Sequence, residues 1–244
     1  MNKVPAGFSL VEITIVLAIV AILMAGLLPT ITGQVEQQHI SQTRKQLEEI
    51  QQALIGFAIS NGRLPCPADG SIATGQAQAG IEATAGSGSS MTCANAGGVL
   101  PWATLGLAET DAWGRRFSYR VTVDFADALG NTSTYGGCTP NPLPAQASFA
   151  LCSSGNLTVQ SAAGGSNIAL GIPAVVVSHG NNGYGAYTPQ GGQLPASGSA
   201  DEADNSNGGN TFVSHEPTAN FDDLLAWISP SILFNRMVAA GKLP

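Results

Sequence analysis

The sequence predicts an α+β fold: a long N-terminal helix packed on an antiparallel β-sheet. Residues 8–28 read FSLVEITIVLAIVAILMAGLL, an apolar run with one charge, Glu12. Apolar residues then continue at helical spacing to about residue 62. Between 117 and 177 the pattern changes to the period of two that marks half-buried strands. Composition narrows the class. The 244 residues form one large domain or two small ones. Apolar residues are 44%, enough for a core, but charged residues are 10% against about 25% in an ordinary soluble domain. A net charge of -7 excludes a general nucleic-acid binder, whose phosphate contacts need clustered Lys and Arg.

The apolar run matches the roughly 20 residues needed to cross a bilayer as a helix. It is longer than the 7–15 residues of a secretory signal, and PTITGQVEQQ after it carries no A-x-A cleavage pattern. Lys3 precedes it and no Lys or Arg follows until Arg44. The positive-inside rule therefore places the N-terminus in the cytoplasm and the rest outside. Glu12 sits one turn inside the run, where an ionised carboxylate costs on the order of 2–3 kcal/mol, less near the interface. Such a residue is a functional candidate. Pro29 lacks an N–H and is expected to kink or melt the helix, with Gly26 and Gly33 loosening the same stretch.

Beyond Pro29 the helical pattern resumes. Ile40, Leu47 and Leu54 recur at sevens, with Ile50 and Phe57 three residues after Leu47 and Leu54, one apolar stripe. Arg44–Glu48 and Lys45–Glu49 are i,i+4 pairs on the wet side. Asn61-Gly62 is the expected stop. About 53 helical residues span roughly 80 Å, so only the first half can lie in a membrane. The stripe of the second half needs a sheet to pack on. Phe117, Tyr119, Val121, Val123 and Phe125 alternate with polar residues as one strand. SFALC (148–152) and NLTVQS (156–161) read as a hairpin, and 173–177 as a central strand. Asn220 is placed to cap a helix over 221–228, and Ser229-Pro230 to start another ending at Gly241.

Cys66, Cys93, Cys138 and Cys152 are an even number in a segment placed outside the cytoplasm, so disulfides are expected. Three pairings are open. The sequential one, Cys66–Cys93 and Cys138–Cys152, closes two long irregular loops and is preferred. Zinc is disfavoured because there is no C-x-x-C pair and no His at ligand spacing. Asp201, Glu202, Asp204 and Asn207 crowd a turn-rich loop (190–210) and form a candidate Ca2+ site, although the EF-hand spacing is missing.

The first residues carry a resemblance. MNKVPAG|FSLVE resembles the class III signal of type IV prepilins and type II secretion pseudopilins. The resemblance implies cleavage between Gly7 and Phe8 by a membrane prepilin peptidase, with methylation of Phe8. It makes Glu12 the fifth mature residue and gives it a partner, the Phe8 ammonium of a neighbouring subunit. Pro29 stands where many members carry a proline. The implied organisation is a leader (1–7), a transmembrane and filament-core helix (8–29), its amphipathic continuation (30–62) and a periplasmic or extracellular pilin-like domain (63–244). The implied function is a non-enzymatic subunit of a type IV pilus or secretion pseudopilus. Its partners would be other subunits and an inner-membrane assembly platform. Two disulfides, against the usual one, lean towards a minor pilin or specialised pseudopilin. A Ca2+ site in the loop after the sheet occurs in pseudopilins. Asp111-Ala112-Trp113-Gly114-Arg115-Arg116-Phe117 resembles their D-x-W-G-x-x-Y/F stretch, which turns the chain into the sheet.

The competing class is a membrane-anchored periplasmic binding or hydrolytic protein. Of His39, His179 and His215, His39 lies on the long helix face, and His179 lies at a strand end running into a Gly/Asn turn, where catalytic groups often sit. No G-x-S-x-G elbow accompanies it, and a nucleophile needs a base that a third group orients.

Overall fold

The computed structural model describes residues 7, 9–129, 135–141 and 144–244, with the backbone alone for 24–32. The chain divides into two units, Met1–Ser41 and Gln42–Pro244. One helix, α1 (Leu10–Asn61), supplies most of the first unit and the opening of the second. Its helical assignment passes through Pro29 without a break, so the expected melting does not occur.

In the second unit α1 buries the face that its sequence pattern marks. Leu47, Ile50 and Leu54 are buried, joined by Thr43, Ile55 and Ala58. Ile40, in the first unit, and Phe57 are half-buried. Three polar side chains fix the rotation of that face. Thr43 Oγ1 accepts from the Ala112 N–H, Gln46 Nε2 donates to Thr110 O, and Gln51 Nε2 donates to Trp227 O. Arg44 forms its ion pair with Glu216, across the domain rather than along the helix. Gly62 ends α1 at φ +73, where a Cβ would stand 2.2 Å from Gln146 O. Only glycine fits that close, left-handed position.

Loop 69–98 holds a small two-stranded ribbon, β1 (Thr84–Ala85) and β2 (Thr92–Cys93). The main sheet is four-stranded and antiparallel, in the order β3-β4-β7-β9. Its strands are β3 (Gly97–Val99), β4 (Ser118–Val121), β7 (Ala174–Ser178) and β9 (Leu224–Trp227). Between β3 and β4 lies the single-turn α2 (Trp102–Leu105). As expected for a central strand, β7 is buried at every position. β4 is shorter than its alternation predicts. Val121 pairs with Ala174, and the next partner would be Pro173, which has no N–H to give. The chain turns there through a 3-10 turn, Val123–Phe125, which delivers Phe125 against Phe149, ring centroids 4.8 Å apart.

The expected hairpin forms with a different partner. β5 (Leu157–Gln160) pairs antiparallel with β6 (Asn167–Ile172), not with residues 148–152. Those residues cannot extend: Cys152 is tied to Cys138, and Ser153 Oγ accepts from the Ala150 N–H to close a turn. The third strand, β8 (Thr211–Val213), runs parallel to β5, so the second sheet is mixed. Leu157, Val159, Ile172 and Phe212 meet Val175 and Val177 of β7 in one core cluster.

The helix expected over 221–228 is a strand, β9. Leu224 and Ala226 are buried and alternate with half-buried Leu225 and Trp227, a period of two that the capping pattern obscures. The terminal helix is present as α4 (Pro230–Ala239), and Gly241 follows it at φ +69. In the second long loop a short helix, α3 (Ala200–Ser206), carries the acidic segment.

Arg116 ties the irregular parts together. Fully buried, it donates to the carbonyls of Gly70, Ile72 and Pro189, pairs with Glu109 at 2.8 Å, and lies over the Trp102 ring. Its five donors in a fixed fork allow one side chain to hold two loops. Cys66–Cys93 and Cys138–Cys152 are bonded, the sequential pairing, spanning 27 and 14 residues. In the chain-entropy account the longer bridge restricts the unfolded chain by roughly 3.5 kcal/mol and the shorter by about 3.

Candidate functional site

Helix α1 begins with a capping box. Ser9 and Glu12 stand at the N-cap and N3 positions. The Ser9 N–H donates to Glu12 Oε2 at 2.9 Å, and Ser9 Oγ accepts from the Glu12 N–H at 3.4 Å. Two of the donors that every helix start leaves unpaired are thus satisfied by side chains three residues apart. The signal that could have found it, S-x-x-E at the head of an apolar run, is present in the sequence, hidden by the length of that run. Gly7, just before it, is exposed, and a Cβ added there would meet nothing within 4 Å. Phe8 lies outside the described residues, as does the Pro29 side chain.

Beyond the cap, every described side chain from Leu10 to Leu23 is exposed. Leu10 is 81% exposed, Leu17 62% and Ile22 73%, all on one helix that is apolar on every side. A helix of that character has its stable place in lipid or among other apolar helices. Among the described residues no helix is long and apolar enough to cross a membrane. Of the 8–28 run, Phe8 and the side chains of 24–28 lie outside the described residues.

The acidic loop does not gather the four residues marked in the sequence. On α3, successive side chains point around the helix. Asp201 accepts from the Ala163 N–H and faces His215 at 3.2 Å. Asp204 accepts from the Asn207 amide. Only Glu202 turns inward, where it meets Asp222 and Asp223; the three carboxylates have oxygens within 4.8 Å of one another. In sequence Asp222 and Asp223 read as helix-start residues. Their role follows from β9, whose antiparallel pairing of Leu224 with Ser178 sets Asp223 beside His179.

His179 is fully buried. Its Nε2 lies 2.7 Å from Ser118 Oγ, and its Nδ1 faces Asp223 Oδ1 at 3.8 Å. Burial, aided by Arg115, pushes the imidazole down to about 4, so the ring is neutral at pH 7. Burial pushes Asp223 up to about 8, reinforced by Glu202 and Asp222 and opposed by the Asn205 amide. Ser178, the residue before it, instead donates to Asp111 Oδ2 at 2.7 Å. Asp111 Oδ1 also accepts from the N–H groups of Trp113 and Arg115, so this Asp-x-Trp-Gly stretch is a turn bolted to β7. Burial raises Asp111 despite those bonds. As hydrolytic machinery the constellation is incomplete. A 3.8 Å separation does not orient the imidazole, and Ser118 stands inside the β3-β4-β7 ladder rather than at a turn presenting amides to an oxyanion.

No curated protein and no solved structure matches the chain. Residues 3–28 match the family model of the prokaryotic N-terminal methylation motif, and the chain therefore opens on a type IV prepilin-like class III signal.

Proposed function

We propose that this chain is a pilin-like structural subunit, a minor pilin or pseudopilin, that assembles through its N-terminal helix into a type IV pilus or secretion pseudopilus. The observation that carries the reading is the methylation motif at residues 3–28 running into a helix whose described side chains from Leu10 to Leu23 are all exposed. In this reading prepilin peptidase cuts between Gly7 and Phe8 and Phe8 is methylated. The 8–29 segment then waits in the inner membrane, N-terminus in the cytoplasm and the domain of residues 63–244 in the periplasm. Assembly moves the helix from lipid into a bundle of its copies, held by the platform in the membrane. A long helix leading into an antiparallel sheet supports a pilin-like architecture.

Glu12 gives the reading its chemistry. A carboxylate offers about four lone-pair sites, so the capping bond to Oε2 leaves capacity for a second donor. The Phe8 ammonium of an adjacent subunit is the cation that cleavage creates at that depth. Among packed apolar helices the pair is strong because the dielectric is low. Glu12→Ala removes the charge and half of the cap. The expected outcome is loss of the variant from sheared filaments or cross-linked pseudopilus, at wild-type membrane levels and with unchanged circular dichroism of the domain. Wild-type incorporation of Glu12→Ala contradicts the mechanism.

A further inference from the structure

Glu202, Asp222 and Asp223 meet at the end of the main sheet, and two of them are almost completely buried. Glu202 and Asp223 are each 2% exposed. Neither forms an ion pair with Lys or Arg among the described residues; Arg115, close by, donates instead to Gly180 O. Buried carboxylates this close repel one another unless a proton or a cation stands between them. The second observation comes from outside the acidic group. Among the described residues His179, fully buried, has no hydrogen-bond partner at Nδ1, and that nitrogen is aimed at Asp223 Oδ1, which has none either. Their 3.8 Å separation is too long for a hydrogen bond. It falls within the roughly 3–4 Å that separates two donors each about 2.1 Å from one ion.

We propose that Glu202, Asp222 and Asp223, joined on binding by His179 Nδ1 from beside Asp223, form a site for one divalent transition-metal ion of the Zn2+ or Mn2+ kind. The imidazole selects that class, because Ca2+ and Mg2+ take oxygen ligands while Zn2+ and its neighbours also take nitrogen. Outer partners for each ligand are in place. Ser118 Oγ, 2.7 Å from Nε2, is placed to accept the Nε2 proton, the tautomer that a metal on the Nδ1 lone pair requires. Asn205 Nδ2 holds Asp223 Oδ2, Asn182 Nδ2 and Ser197 Oγ hold Glu202, and the Asn182 N–H holds Asp222 Oδ2. Gly180 lets the turn close, since at φ +54 a Cβ there would meet Asp222 O at 2.3 Å. A cleft lined by Asn182, Tyr184, Ser197 and Asn220 reaches the site at Glu202. An ion here would join β7, β9 and α3, which come together from distant parts of the chain. The site is independent of the assembly helix.

The test uses the full chain in detergent, stripped with chelator and titrated with ZnCl2, MnCl2 or CaCl2. Binding is read by calorimetry and by metal content after desalting. The expected result is one Zn2+ or Mn2+ per chain, bound at least tenfold more tightly than Ca2+, with a rise in thermal midpoint. His179→Ala should weaken that binding at least tenfold. Because this change also removes the Ser118 partner, Asp222→Asn, at a half-buried position, serves as the second variant and should weaken binding similarly. Retention of no metal by folded wild-type chain overturns the proposal and leaves a shared proton as the neutralising species. Preference for Ca2+, or Zn2+ binding unchanged in Asp222→Asn, overturns it as well.

Discussion

Leu17 and Leu54 lie on the same helix and are chemically identical, yet Leu17 is 62% exposed and Leu54 is completely buried. Around Leu54, residues 42–61 are amphipathic, with Glu48, Glu49 and Gln52 on the exposed side, and their apolar stripe is covered by the domain that follows. Around Leu17 there is no polar side to leave in water, and the exposure of its neighbours shows that no described residue covers it. A helix half that spends its hydrophobicity internally stabilises a fold. One that presents it outward on every face requires an environment: lipid, or other helices of its kind. A single element thus carries one half buried in its own fold and one half left exposed.

Truncation breaks the comparison most directly. Leu54→Ala should lower the stability of the domain by about 2–5 kcal/mol, the transfer loss plus the cavity. Leu17→Ala should change it by less than about 0.5 kcal/mol. Denaturant unfolding in detergent, followed by tryptophan fluorescence, measures both, and equal effects would show that the two halves share a core.

A smaller effect sharpens the picture of how the helix hands over to the domain. Just past its end, Arg63 grips Glu82 with both of its terminal nitrogens at 2.8 Å, inside the loop closed by Cys66–Cys93. Burial tends to raise Glu82, but the Arg63 bonds and charge together with the Cys66 N–H outweigh it and hold the carboxyl below its ordinary 4.5. A depressed folded-state value means that the unfolded chain binds the proton first. The pair's contribution is therefore complete above pH 4.5 and is lost as pH falls below it. Glu82→Gln should be less stable than wild type at about pH 7, and the difference should shrink as unfolding is measured at about pH 5, 4 and 3.

Much of this organisation is legible in the residues. The apolar run, the stripe at Leu47, Ile50 and Leu54, the stop at Gly62, the central strand read at 173–177 and found at 174–178, and the α4 start are local patterns, and local patterns survive folding. The failures are at long range. Residues 148–152 alternate like a strand, but Cys152 and Ser153 bend them, and the β5 partner lies beyond a turn at 162–165. Asp222-Asp223 after Asn220 reads as a helix start because the pairing of Leu224 with Ser178 is invisible in sequence. The same pairing carries Asp223 to His179, so in sequence the acidic residues fall into separate groups and their meeting with Glu202 leaves no trace. Arg116 reads only as part of a turn motif; its carbonyl partners come from loops 44 to 73 residues away.

The central claim is that the apolar half of α1 is a processed assembly element, and the mature N-terminus tests it most directly. Intact-mass measurement and N-terminal sequencing of protein extracted from membranes should find a chain that begins at Phe8 and carries one methyl group on its amine. That result makes Glu12 the fifth residue, one turn from the new ammonium. A chain that still begins at Met1, or one cut beyond Leu28 so that the apolar half is gone, would contradict the account.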